Sequence, residues 1–262
     1  MLLSLYHDEP DSGPLAQLFL ANNTLARLKT LDSRARRHGL DSLDPSRNVL
    51  IPIGMEIDPQ GRVTKNSYGV FNLSWQAAQH PEWPDTVLTE LAGIRASVKD
   101  THGTPLQFLI WAGMGGSAED KSMYNACGLL KKGPRCYVLD STDPAKLAAI
   151  LDDIRKRSRA GLGQALGRTL VVGMAMGMTS YEPVVNLEKL ARLYDSCRVD
   201  SRPNFVYMTL PGSLLDQFAS RRGYRKIELQ LDNANSTAGR HSGPLTRGSL
   251  YPLGLAGVDL HR

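Results

Sequence analysis

A regular alternation of short apolar runs and helical patterns constrains this sequence more than any other feature. The apolar runs of strand length lie at residues 106–112, 136–139, 170–174, 205–210 and 227–231. Helical patterns lie between them, at residues 117–130, 144–157, 179–194 and 212–221. Apolar strands that alternate with helices are typical of a mostly parallel sheet covered on both faces. We therefore predict an α/β fold with a doubly wound, five-stranded parallel sheet.

The first part of the chain lacks this alternation and carries scattered proline and glycine. Its recognisable patterns are helical stretches at 15–31 and 86–98, a strand-like run at 49–53, and turn chemistry at 58–61. We predict a helical or irregular N-terminal extension over residues 1–95, followed by one α/β domain over residues 96–262.

Charge and hydropathy exclude several classes of partner. The net charge is +5, but the densest basic cluster, residues 34–38, has no interleaved aromatic residues and is typical of a solvated helix face. No apolar run approaches the roughly 20 residues that a membrane helix needs. His7, Asp8 and Glu9 follow the apolar start at once, which argues against a signal peptide. We expect a soluble cytoplasmic protein that binds neither nucleic acid nor membrane.

The three cysteines, Cys127, Cys136 and Cys197, have no metal-binding or redox spacing. We predict that they are small buried apolar side chains. No metal or cofactor is expected.

Loops that follow the strands are the places to look for a ligand, because open parallel sheets bind ligands at the carboxyl ends of their strands. Residues 113–117 read Gly-Met-Gly-Gly-Ser and enter a helix, whose first N–H groups can bind an anion. A tight structural turn explains this loop about as well. In the loop after the third strand, Thr179 and Ser180 stand at a predicted helix start, where hydroxyls cap the helix or hold a phosphate.

Two further loops follow strands of the predicted sheet at their carboxyl ends. Asp143 and Pro144 after the second strand fit a helix cap and a first helical turn. The polar segment 232–242 after the fifth strand contains Arg240 and His241, and a loop of that length is more often functional than idle.

Five of these segments together resemble the first sugar-isomerase (SIS) domain of the glucose-6-phosphate isomerase family. They are residues 113–117, 139–144, 179–183, 239–242 (Gly-Arg-His-Ser) and 255–259 (Leu-Ala-Gly-Val-Asp). The resemblance is closest to the isomerase part of bifunctional transaldolase/glucose-6-phosphate isomerases and covers residues 86–262. It implies a flavodoxin-like SIS fold.

The resemblance also implies roles for individual residues. Gly116 and Ser117 would contact the sugar, and Arg240 would be the catalytic arginine that stabilises negative charge at the reacting carbons. The family's phosphate loop reads Ser-Lys-(Ser or Thr)-Gly-Thr-Thr-x-Glu, whereas residues 175–182 read Ala-Met-Gly-Met-Thr-Ser-Tyr-Glu. Gly177, Thr179 and Ser180 would remain to hold the phosphate, and Met176→Lys with Ala175→Ser is expected to strengthen binding.

Family members continue into a second SIS domain that supplies a glutamate base, a lysine and a histidine. This sequence ends at Arg262, where that domain would begin. We expect a domain that binds a sugar phosphate or another small anion without interconverting glucose 6-phosphate and fructose 6-phosphate alone, the isomerisation of glycolysis and gluconeogenesis. Two alternatives remain: half of an active isomerase completed by another chain, as in a homodimer, or by a longer gene product, and a structural or interaction module that keeps only the fold.

Overall fold

The computed structural model describes residues 80–231 and 246–261, two short strands, and scattered positions between residues 17 and 33. The two strands, β1 (Met55–Ile57) and β2 (Val63–Asn66), pair antiparallel. The expected strand at 49–53, the turn at 58–61 and the basic cluster at 34–38 lie outside the described residues.

The main sheet has five parallel strands in the order β4-β3-β5-β6-β7. Their bounds are β3 Phe108–Ala112, β4 Arg135–Leu139, β5 Thr169–Ala175, β6 Phe205–Thr209 and β7 Arg225–Lys226. Strand order therefore reverses between β3 and β5, because the chain first moves outward to β4 and then returns past β3. The predicted doubly wound α/β sheet is confirmed.

Helices cover both faces of this sheet. In chain order they are α1 Trp83–His102, α2 Glu119–Ala126, α3 Pro144–Ser158, α4 Leu162–Gly167, α5 Glu182–Ser196, α6 Leu214–Arg221 and α7 Arg247–Leu255. The core of the first face joins apolar residues of α1, α2 and α7 to those of the strands, including Trp111. The core of the second face joins α3, α4, α5 and α6 to the opposite side of the same strands, including Ile110. Asp143 caps α3 as predicted, since its carboxylate accepts a hydrogen bond of 2.8 Å from the Ala145 N–H.

The last strand differs from its prediction, because β7 lies at Arg225–Lys226 rather than at 227–231. The ladder continues only to Ile227, whose N–H donates to the Tyr207 carbonyl over 2.8 Å. Leu229 and Leu231 are instead buried in the core of the first face. The Leu229 carbonyl accepts a hydrogen bond of 3.0 Å from the Arg247 N–H. The apolar pattern therefore indicated burial correctly but not strand pairing.

The cysteine prediction holds for one residue of three. Cys136 is buried in β4, and burial raises the pKa of its thiol to about 12. Cys127 is exposed and Cys197 is partly exposed, since both follow the ends of helices. In the part of the chain that the structure describes, no helix combines the length and the apolar character needed to cross a bilayer.

Candidate anion site at the carboxyl edge of the sheet

The two glycine-containing loops lie at the same edge of the sheet. Residues 113–117 follow β3 and residues 176–181 follow β5, and these strands are parallel neighbours in which Ala112 pairs with Gly173. After the first loop the chain enters α2 on one face of the sheet, and after the second it enters α5 on the other face. Because the two connections diverge, the space between them is the ligand-binding position of open α/β sheets.

The first loop is a tight turn that requires glycine. The Ser117 N–H donates to the Met114 carbonyl over 3.1 Å, and Gly115 has a φ of +52°. A Cβ at Gly113 would lie 3.0 Å from both Cβ and the carbonyl oxygen of Ser117, so a side chain there would push the turn away. The turn leaves Gly116 exposed and Ser117 half-buried, and the Ser117 hydroxyl has no hydrogen-bond partner among the described residues.

The second loop is longer than the sequence indicated, because α5 begins at Glu182 instead of Thr179. Thr179 and Ser180 therefore lie in the loop, and neither caps the helix. Their hydroxyls, and the backbone N–H groups of residues 177–179, donate no hydrogen bond within the described part of the chain, while the Ser180 N–H closes a turn on Gly177. One exposed loop consequently carries several unused donors, which is the arrangement that an oxyanion requires.

Methionine side chains around this loop do not form one surface. Met174 and Met176 are buried in the core of the first face, and Met176 is 7% exposed. Of the three methionines in residues 174–178, Met178 is the exposed one, at 49%. The expected substitution Met176→Lys would therefore place a charge inside the core, whereas Met178→Lys would place it at the exposed surface of the loop.

The loop after β4 holds the edge together instead of offering free groups. Its Ser141 carbonyl accepts a hydrogen bond of 3.2 Å from the Asn186 side chain, and the Thr142 carbonyl accepts one of 3.2 Å from Lys189. Asp140 pairs with Lys146, and Asp143 caps α3. The carboxylates of this loop are thus engaged in structure.

Arg240 lies outside the described residues, so its position is not part of this geometry. Cavities among the described residues include two of 640 and 580 Å³ near the amino ends of the strands, and one of 350 Å³ beside the second loop that is lined by Tyr181, Leu214 and Phe218. The first includes Gln107 and Pro134 just before β3 and β4, and the second includes Arg168 just before β5. The two larger cavities therefore do not coincide with the unpaired donors of the carboxyl edge.

Sequence reasoning missed a buried lysine next to the first loop. The Lys121 side chain is 1% exposed, and its ammonium lies 2.8 Å from the Asp120 carboxylate and 4.4 Å from the centre of the Trp111 ring. Burial lowers the pKa of this ammonium. The pattern Asp-Lys on a short helix is typical of an exposed face, so nothing in the sequence marked it.

Sequence comparison finds distant similarity to glucose-6-phosphate isomerases. No protein-family model matches the chain. A glucose-6-phosphate isomerase of Prochlorococcus marinus (strain MIT 9313) is 27% identical over 168 residues, which is 64% of this chain and 28% of that protein. A glucose-6-phosphate isomerase of Synechococcus sp. (strain JA-3-3Ab) is 27% identical over 153 residues, 58% of this chain and 26% of that protein.

A solved structure supports the fold. The crystal structure of a hypothetical protein from Thermus thermophilus matches with a TM-score of 0.55 at 20% identity, over 92% of this chain and 47% of that chain. The sequence similarities described above are distant, and they support a relationship between this chain and the glucose-6-phosphate isomerase family. The chain spans less than a third of the length of the curated relatives it matches, 28% in the first comparison.

Proposed function

We propose that the α/β domain, predicted over residues 96–262 and here including all of α1 from Trp83, is the first SIS domain of a glucose-6-phosphate isomerase-like cytoplasmic protein, and that it binds a sugar phosphate at the carboxyl edge of β3 and β5. The observation that carries the proposal is the loop of residues 177–180, in which the N–H groups of 177–179 and the hydroxyls of Thr179 and Ser180 donate to no acceptor in the described part of the chain. Donors of this kind at a strand-order reversal fit a phosphate group.

Each loop has its own task in this proposal. The backbone of Gly177 and the hydroxyls of Thr179 and Ser180 hold the phosphate, while Gly116 and Ser117 contact the sugar. Arg240 stabilises negative charge at the reacting carbons. Within that family, we propose a particular resemblance to the isomerase part of the bifunctional transaldolase/glucose-6-phosphate isomerases, on the motifs of residues 239–242 and 255–259.

Isomerisation requires more than this edge supplies. Moving a proton between neighbouring carbons needs a base, and ring opening needs a proton donor. Asp140 and Asp143 are engaged by Lys146 and by the Ala145 N–H, so neither is free to act as that base. We propose that the base comes from a second SIS domain or a second copy of the chain, and that this chain alone does not interconvert glucose 6-phosphate and fructose 6-phosphate.

Binding is expected to be weak. A hydrogen bond to a charged group contributes roughly 1.5–3 kcal/mol, and the family's lysine is replaced by the buried Met176. Backbone and hydroxyl donors remain, so we expect a Kd near 1 mM, about −4 kcal/mol.

The test is calorimetric titration of the chain with fructose 6-phosphate and with inorganic phosphate. The double variant Thr179→Val, Ser180→Ala should lose most of the affinity for both ligands, because it removes hydroxyl donors at the phosphate. Thr142→Val on the neighbouring loop is the matched control and should bind like wild type. Absence of binding at concentrations up to about 20 mM, some twentyfold above the expected Kd, would defeat the proposal.

One observation favours an interaction module as the second candidate. Met114, Met178 and Tyr181 are exposed apolar side chains at the same edge, and Tyr181 is 67% exposed. Such a rim is typical of a surface that another protein or domain covers. Under this alternative, Tyr181→Ser would weaken association in sedimentation experiments while phosphate binding is absent.

A further inference from the structure

We infer that Trp111 and Lys121 are positioning residues that hold the Ser117 turn against the sugar. The inference rests on the proposed function, because it takes Ser117 to be a sugar contact. It goes beyond the resemblance, since neither Trp111 nor Lys121 belongs to the motifs that carry it.

The first step is a hydrogen bond from the sheet to the turn. The indole N–H of Trp111 donates to the Ser117 carbonyl over 2.7 Å. Trp111 lies in β3 and is fully buried, so its ring cannot move without disturbing the core of the first face. An indole has one donor, and here that donor is used on the turn.

The second step is the lysine that fixes the indole. The Lys121 ammonium lies 4.4 Å from the centre of the Trp111 ring, which is within the range of a cation–π contact. Burying an ammonium is unfavourable, and a methionine of similar length would fill the space without that penalty. The contact between the buried Lys121 ammonium and the ring therefore points to a role of Lys121 in orienting Trp111.

The third step connects the lysine to the rest of the fold. Asp120 binds the Lys121 ammonium over 2.8 Å, and its carboxylate also accepts a hydrogen bond of 2.7 Å from the Ser249 hydroxyl on α7. The cation is thus paired, and the pair is attached to a helix distant in sequence. A continuous set of contacts runs from α7 to the Ser117 carbonyl.

The last step is what this support does for the turn. Within the turn, the Ser117 N–H bonds to Met114 and the Ala118 N–H bonds to Gly115, over 3.1 and 2.8 Å. The indole bond fixes the carbonyl of the same residue whose hydroxyl has no internal partner. The Trp111 bond therefore holds the backbone from which that hydroxyl projects, and Lys121 acts through Trp111.

The experiment separates sugar contact from phosphate contact. We expect Trp111→Phe, which keeps an aromatic ring but removes the donor, to weaken fructose 6-phosphate binding about fivefold while inorganic phosphate binds as in wild type. Lys121→Met should give the same split, about threefold. Tyr137→Phe is the matched control, because it removes one polar atom from another aromatic residue of the sheet and should change neither affinity. Equal loss for both ligands, or no loss for either, would overturn the inference.

A double-mutant cycle identifies the route of the effect. The losses in fructose 6-phosphate affinity caused by Trp111→Phe and Ser117→Ala should be non-additive. Once the Ser117 hydroxyl has been removed, the position of the turn should no longer affect binding of the sugar. Additive losses would show that Trp111 does not act through Ser117.

Hydrogen exchange gives a readout that needs no ligand. In both Trp111→Phe and Lys121→Met, the Ser117 and Ala118 amides should exchange about tenfold faster while the amides of β5 stay protected. Unchanged exchange would overturn the positioning role. If wild type binds neither ligand but these amides do exchange faster, the proposed function fails while the positioning of the turn stands.

Discussion

The Arg247 guanidinium lies 2.8 Å from the Glu90 carboxylate, although 157 positions separate the two residues in the chain. The Arg247 side chain is 3% exposed, and it also donates to the carbonyls of Glu228 and Gln230. The Tyr251 hydroxyl donates to the same Glu90 carboxylate over 2.7 Å. One side chain therefore joins α1 to α7 and to the segment after β7.

Removing this arginine should lower stability strongly. Arg247→Ala leaves the partly buried Glu90 carboxylate with the Tyr251 hydroxyl but without its cation, and leaves two carbonyls without this donor, so we expect a loss of about 3 kcal/mol in the free energy of unfolding. Urea denaturation followed by circular dichroism measures it. Arg192→Ala is the matched control, because the Arg192–Glu188 pair is on the surface with Arg192 75% exposed, and its loss should stay below about 1 kcal/mol. Equal losses of unfolding free energy in the two variants would contradict a stabilising role for the buried Arg247 contacts.

A lysine should restore phosphate affinity at Met178 but not at Met176. Met178 is exposed in the loop with the free donors, so Met178→Lys adds a cation near a bound dianion and should tighten inorganic phosphate binding about tenfold. Met176→Lys buries the charge and should instead destabilise the fold. Calorimetry and thermal unfolding of both variants decide this. No gain from Met178→Lys in a folded protein would count against the phosphate site.

Acid should weaken the fold in part through Asp153. Hydrogen bonds from Arg157 and from the Tyr137 hydroxyl, both 2.7 Å, lower the pKa of its carboxyl. A carboxyl with a lowered folded-state pKa stabilises the protein above its unfolded pKa, about 3.9, and loses that contribution as pH falls through the folded value.

Because Arg157 is about half exposed, we expect the contribution to be under about 1 kcal/mol. Stability curves of wild type and Asp153→Asn between about pH 6 and pH 2 should converge at the acidic end. A constant difference over that range would exclude this origin.

Gly133 should tolerate no side chain. A Cβ there would lie 2.5 Å from Ala256 Cα and 2.5 Å from the Leu255 carbonyl oxygen, both backbone atoms that cannot move aside cheaply. Gly133→Ala should therefore lower the free energy of unfolding by about 1–3 kcal/mol. Gly93→Ala is the opposite case, since nothing lies within 4 Å of that position in α1, and it should raise stability by about 0.5–1 kcal/mol. A melting temperature of Gly133→Ala at or above that of Gly93→Ala would contradict this packing.

Sequence patterns were sufficient for the sheet because burial and strand pairing coincide in its centre. Predicted strands at 106–112, 136–139, 170–174 and 205–210 overlap β3 to β6 almost completely. The predicted last strand, 227–231, differs from β7. Its residues Leu229 and Leu231 are buried in the core of the first face, which includes residues of α7, and they do not pair with a neighbouring strand.

The candidate site was predictable only where its residues are close in sequence. Glycines in residues 113–117 indicated a turn because the turn is made of those residues alone. Lys121 and Arg247 could not be identified, since their roles depend on Trp111 and Glu90, which lie on other elements. Burial of Met176 was likewise invisible in a run that alternates methionine with small residues.

The strand order also affects how the chain can assemble during its own synthesis. Phe108 of β3 lies beside Arg135 of β4 on one side and beside Thr169 of β5 on the other. One edge of β3 therefore stays unpaired until β5 has been synthesised. All four pairings in the sheet are parallel, and each needs a crossover instead of a tight hairpin. A nascent chain that has not yet reached Thr169 therefore presents five apolar residues and an open backbone edge. Until β5 arrives, that edge is available to chaperones and to other unfinished chains.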